Sequence, residues 1–288
     1  MAFRLQRLAM RAFPIIPAAF VVALGVTAAP HAALADSPVV IEGGDDDMRD
    51  AIRDLLPDRD RPESLFDAER IAEEAATRAL VWLRSEGYYG AEVTPEASEE
   101  PALARVTIAP GPRFSFADPE IVYAGGEPDA DARTAVMQAL SGVQAGAPAR
   151  AETVIAAEGA ALAALQQAGY AHAEIGERRV IVDHATSRVS AEFRYQPGER
   201  VRLGGVRASP NDLFRPSFIA DLQNWDDGEV YEPNMLSRLR RDLSSTGAVS
   251  LASTRIQPPG PSGLSEVVLD VEPARRNAYE LGVSYSTT

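Results

Sequence analysis

The chain has 288 residues, 42 Asp and Glu against 28 Lys and Arg, and no cysteine. That length exceeds the usual size of a single hydrophobic core, so two or three compact units are expected. The missing cysteine excludes disulfides, thiol nucleophiles and thiolate metal sites, and a net charge of −14 argues against a phosphate backbone as partner.

Residues 1–35 carry no acid. Arg4, Arg7 and Arg11 precede an apolar stretch over 13–29, and Ala33-Leu34-Ala35 stands just before Asp36. This is the pattern of a secretory signal peptide cleaved between Ala35 and Asp36. Removal takes three arginines and no acid, so the mature chain stands at −17. The compartment implied is a bacterial periplasm.

From residue 39 onward a single order of elements recurs three times. The first copy predicts a strand over 39–42, a helix over 46–56 opened by Asp45-Asp46-Asp47, a second helix over 66–85, and a strand over 104–109. In the second copy a strand is expected over 115–123, helices over 131–140 and 151–167, and a strand over 189–195. The third gives a strand over 200–207, helices over 216–224 and 233–244, and a strand over 266–271. Each second helix ends on a glycine, Gly87, Gly169 or Gly247, expected as a left-handed C-cap. Tyr88 and Tyr170 follow the first two and Ala248 the third. After each glycine another extended segment is expected, over 88–93, 170–175 and 248–256.

The strand at 189–195 shows the reason for this architecture. Val189, Ala191, Phe193 and Tyr195 alternate with Ser190, Glu192 and Arg194, so one sheet face is dry and needs a helical cover. The fold class is therefore α+β: three tandem β-α-α-β-β units, each a three-stranded sheet covered by two helices. Pro110-Gly111-Pro112 and Pro197-Gly198-Glu199 mark short junctions. Beyond Pro273 the pattern changes. Tyr279, Leu281, Val283 and Tyr285 alternate with small or polar residues, as in the first strand of a transmembrane β-barrel.

Chemistry-bearing motifs are sparse. A Gly-x-Ser-x-Gly elbow, a phosphate loop and a His-Glu-x-x-His helix are all absent, so no catalytic residue, metal site or cofactor is expected. His172-Ala173-Glu174 and Asp183-His184 read as solvated polar residues on exposed strands, and Asp45-Asp46-Asp47 as a helix cap rather than a calcium loop. Trp82 reads as core. Trp225, in a loop, is a core residue or a partner contact.

Together these residues resemble the polypeptide-transport-associated (POTRA) domains of the outer-membrane assembly-factor superfamily. The signal peptide, the repeated units with Gly-Tyr after the second helix, and the passage from Glu272-Pro273 into Gly282-Val283-Ser284-Tyr285 carry the likeness. It spans residues 36–288, with domains expected at 36–112, 113–198 and 199–274 and a barrel beginning at 275–288. Three units directly before a barrel are similar to the TamA type. The resemblance implies a non-enzymatic periplasmic scaffold at the outer membrane. Its clients would be unfolded outer-membrane proteins or autotransporters, and its inner-membrane partner TamB-like, with no nucleic acid. A two-partner-secretion transporter is the alternative within the class, and a soluble periplasmic enzyme or solute-binding protein the alternative outside it.

An exposed sheet edge offers unpaired N–H and C=O groups to which an extended client can add as another strand. The resemblance places the strand after each glycine at such an edge. The third, nearest the expected barrel, is the candidate client site through Val249, Leu251, Ser253 and Arg255. A proline at Leu251 or Ser253 is expected to remove a ladder donor there.

Overall fold

The computed structural model describes residues 38–210 and 213–274. The cleavage site at Ala35 and Asp36 and the barrel-like stretch 275–288 lie outside the described residues.

The first unit comprises β1 (Val39–Gly43), α1 (Asp46–Leu55), α2 (Leu65–Ser85), β2 (Glu92–Glu99) and β3 (Ala102–Ala109). Asp45 caps α1 by accepting the Met48 N–H at 2.8 Å, and Asp46 and Asp47 sit in the first turn, where the helix dipole favours acids. Ser64 caps α2 in the same way through the Asp67 N–H at 3.2 Å. The buried stripe of α2 is Ala68, Ile71, Ala72, Ala75, Ala76, Ala79 and Leu83. Five alanines among these seven let the helix axis lie close to the sheet.

The second unit has β4 (Ser115–Phe116), β5 (Glu120–Tyr123), α3 (Ala130–Ala139) with a 3-10 turn (Leu140–Val143), α4 (Ala151–Gln167), β6 (Glu174–Ile175), β7 (Arg179–Asp183) and β8 (Arg188–Gln196). The third has β9 (Leu203–Ser209), α5 (Pro216–Asp221), α6 (Pro233–Ser245), β10 (Val249–Ile256) and β11 (Ser265–Pro273). Three hydrophobic clusters form, one per unit, each between its helices and the dry face of its sheet. In every unit the last strand is central. It pairs in parallel with the first strand and antiparallel with the strand that follows the second helix.

Several expectations are corrected. The segment 115–123 is two strands rather than one, interrupted at Ala117-Asp118-Pro119, since proline has no ladder donor. The stretch 88–91 is a turn that closes on itself through the Ala91 N–H to the Tyr88 carbonyl at 3.1 Å, so the first edge strand starts at Glu92. In the second unit most of the edge strand lies at Arg179–Asp183, beyond Gly176, and only Glu174–Ile175 of the expected segment pairs. The third unit has no such turn, and β10 begins two residues after Gly247.

Candidate functional site

Two features recur along the chain and both concern backbone pairing: an edge strand in every unit, and a joint between successive units.

At the joints, Gly87 and Gly169 close their helices as Schellman caps. The Gly87 N–H bonds the Arg84 carbonyl at 3.1 Å and the Tyr88 N–H the Leu83 carbonyl at 2.8 Å. Gly169 and Tyr170 repeat this on Gln166 and Leu165, both at 3.1 Å. Both glycines have positive φ, +97° and +99°. Their carbonyls are then free to serve the next unit. The Phe114 N–H donates to the Gly87 carbonyl at 2.8 Å and the Val201 N–H to the Gly169 carbonyl at 2.9 Å. These pairs continue the register of the preceding hairpin, in which Glu92 faces Ala109 and Glu174 faces Gln196. Each joint therefore carries one backbone hydrogen bond in register with the hairpin before it, set beyond the turn that follows the glycine.

The arginine before each of these donors adds a second tie. Arg113 Nε donates to the Glu86 carbonyl at 2.9 Å, and Arg200 Nε to the Ala168 carbonyl at 3.0 Å. At the first joint the Glu86 carboxylate also takes Arg113 at 3.1 Å and Arg150 at 2.9 Å, and the Arg113 guanidinium lies 5.5 Å over the Tyr88 ring. At the second, Arg200 pairs with Asp129 at 3.2 Å, whose backbone N–H donates to the Tyr170 hydroxyl at 2.8 Å. Gly247 makes only the shorter cap, to the Ser244 carbonyl at 3.2 Å, and the Ala248 N–H turns to the Thr246 hydroxyl.

The edge strands differ in what they show. β2 carries Glu92, Glu96, Glu99 and Pro95, all of which discourage chance pairing. β7 presents Val180 and Ile181, 41% and 49% exposed. β10 is antiparallel to β11 and has no described strand on its other side. A bulge lies between Val249 and Leu251, so the alternation changes phase there. Val249 is buried in the third core, while Leu251, Ser253 and Arg255 face solvent; Leu251 is 59% exposed and Arg255 pairs with Asp270 at 3.0 Å. Of the four candidate residues, three are exposed and Val249 is buried. The edge donors also fall elsewhere. The Gln257 N–H bonds the Glu266 carbonyl at 2.9 Å, so in this ladder Leu251, Ser253 and Arg255 direct their backbone groups toward β11, and Ala252, Thr254 and Ile256 direct theirs outward. A proline at Leu251 or Ser253 would break the sheet itself rather than its open edge.

The isolated polar residues are also placed. Trp225 is core, 6% exposed, with Nε1 donating to the Gly204 carbonyl at 2.8 Å, so it is no partner contact. Trp82 packs half-buried against the first core. His184 is in the turn between β7 and β8, not on a strand, with its ring 5.4 Å from that of Phe114. Among the described residues, no three His, Asp or Glu converge to hold a metal ion. Burial raises the Tyr195 phenol well above its ordinary range, and its hydroxyl donates to the Glu158 carbonyl at 3.2 Å.

What the fold defines is a tandem array of small α+β units tied by backbone and arginine hydrogen bonds at their joints, with an edge strand in each. No protein-family model matches the chain. Among solved structures it is similar to BamA POTRA3-5 of Haemophilus influenzae, at 16% identity and TM-score 0.47 over 81% of this chain and 94% of that one. It is also similar to POTRA1-3 of the periplasmic domain of Omp85 from Anabaena, at 13% identity and TM-score 0.38 over 83% and 95%. A third likeness is to CdiB from Escherichia coli, at 16% identity and TM-score 0.28, covering 73% of this chain and 35% of that one.

Proposed function

We propose that this chain is the periplasmic POTRA-like array of an outer-membrane assembly factor, exported by cleavage after Ala35 and divided into domains at 36–112, 113–198 and 199–274. The observation that carries this reading is the threefold recurrence of a sheet covered on one face, with the strand after the second helix on the opposite side of the central strand from the first. An edge ladder reads backbone rather than side chains, which suits a scaffold that serves many extended clients. The work required is binding and orientation, with no bond made or broken, so the protein is a scaffold and not an enzyme. The finer assignment to the TamA type, with outer-membrane proteins or autotransporters as clients and a TamB-like inner-membrane partner, draws on three units standing before the alternating stretch at 275–286. In this reading β10 receives the client through the outward backbone groups of Ala252, Thr254 and Ile256.

The test places a photo-crosslinker at the exposed Ser253 and offers a peptide copied from a transmembrane β-strand. Ala252→Pro removes an outward donor but no bond of the β10–β11 ladder. Loss of crosslinking in that variant, with thermal unfolding unchanged, supports β10 as the receiving edge. Undiminished crosslinking overturns it.

A further inference from the structure

The two joints share one backbone plan but are filled differently. At the first, the Phe114 ring is met edge-on by Tyr89 at 5.5 Å and by His184 at 5.4 Å, and it lies over Gly90, where a Cβ would come within 3.8 Å of it. Tyr89 also donates its hydroxyl to the Ala149 carbonyl at 3.2 Å. Counting from the cap glycines, the second joint has Ala171 in place of Tyr89 and His172 in place of Gly90, and the linker register puts Val201 in place of Phe114. The hairpin turn that brings His184 to the first joint is replaced at the second by the turn containing Pro258 and Pro259.

The smaller residues leave a cavity of about 490 Å³ at the second joint, lined by His172, Arg200, Val201, Arg202, Pro258 and Pro259 among others. That volume lies within the ~300–1,000 Å³ of ordinary ligand sites. Val201 and the two prolines supply apolar contact. Arg200 and Arg202 each donate to a carbonyl, of Ala168 and of Gly228, Arg200 is also paired with Asp129, and Glu199 lines the same wall, so both guanidinium groups are held in place with carboxylates beside them. Fixed guanidinium groups beside an apolar slot favour the electron-rich face of an aromatic ring over an aliphatic chain.

We propose that this cavity binds an aromatic side chain of a partner polypeptide, which completes at the second joint the ring cluster that Tyr89, Phe114 and His184 build into the first. The site lies at the turn that follows β10 and does not depend on which strand takes a client. The test titrates the isotope-labelled protein with N-acetyl-phenylalaninamide and, in parallel, N-acetyl-leucinamide, following backbone amide resonances. Saturable shifts are expected at His172, Val201 and Gly263, with the leucine compound about tenfold weaker. Val201→Phe fills the slot from within, and His172→Trp, at an exposed position, fills it from the rim; each should weaken binding by at least about tenfold. His172→Trp decides the matter if Val201→Phe fails to fold. Equal affinity for the two compounds, the absence of saturable shifts at these amides, or full binding by a folded His172→Trp variant would each overturn the proposal.

Discussion

Single residues carry the joints, and glycine is the clearest case. A Cβ on Gly169 would stand 2.5 Å from Val230 Cγ1 and 3.1 Å from Arg200 Cγ, in a backbone with φ of +99°. Gly247 has φ of +67° and nothing within 4 Å. Both substitutions by alanine incur left-handed strain, but only the first also meets the next unit. Gly247→Ala should cost about 1 kcal/mol and Gly169→Ala about 2–3 kcal/mol, read by denaturant unfolding. Glu74 gives a second test. Hydrogen bonds from Arg59 and then Arg78 hold its carboxyl below the ordinary range. A carboxyl lowered in the folded state contributes stability that is present above its unfolded value and lost as pH falls through the folded one. The stability difference between wild type and Glu74→Gln should therefore shrink from about pH 6 to about pH 3. An unchanged difference would rule the linkage out.

At the scale of elements, periodicity decided five of the six helices and the central strands, because burial repeats there without interruption, while the helix predicted over 216–224 stops at Asp221. The predicted helix over 151–167 matches α4, and the seven-residue strand predicted over 189–195 is the heart of β8. Edge strands were less legible, because a one-residue bulge or a short turn shifts every side chain and costs the sequence no visible change. Ser250 does this in β10, and Tyr88–Ala91 in front of β2. The tight packing of α2 yields a prediction of its own. Ala79, fully buried, stands against the sheet, and Ala79→Leu should lower stability by about 1–3 kcal/mol through overpacking. Trp225→Phe keeps most of the buried area but loses the bond to Gly204, and a loss of about 1 kcal/mol in thermal or denaturant unfolding is expected.

For the whole molecule, the decisive fact is that each joint is pinned by a backbone bond in register with the preceding hairpin and by an arginine beside it. A linker of this kind restrains the angle between neighbours more than its few residues of length imply. At the first joint Glu86 gathers Arg113 and Arg150 while its carbonyl takes Arg113 Nε. Glu86→Ala removes the carboxylate and leaves the backbone pair between Gly87 and Phe114. The distance distribution between spin labels on the first and second units should broaden, and that between the second and third should stay as it is. Broadening at both joints would show that the array moves as one cooperative body.

The amino-acid sequence by itself determined the number of units, the helix pair between the first and last strands of each, the covered sheet face and the cap glycines. These depend on local periodicity and on backbone conformations that only glycine adopts without strain. Only the tertiary structure decided what lies beyond each glycine, since a carbonyl freed by one helix cap finds its donor more than two dozen residues later, in the next unit. The phase of β10, the interior place of Trp225 and the cavity beside Val201 have the same origin. Each depends on which residues from distant segments meet, and charge, length and composition are silent on that.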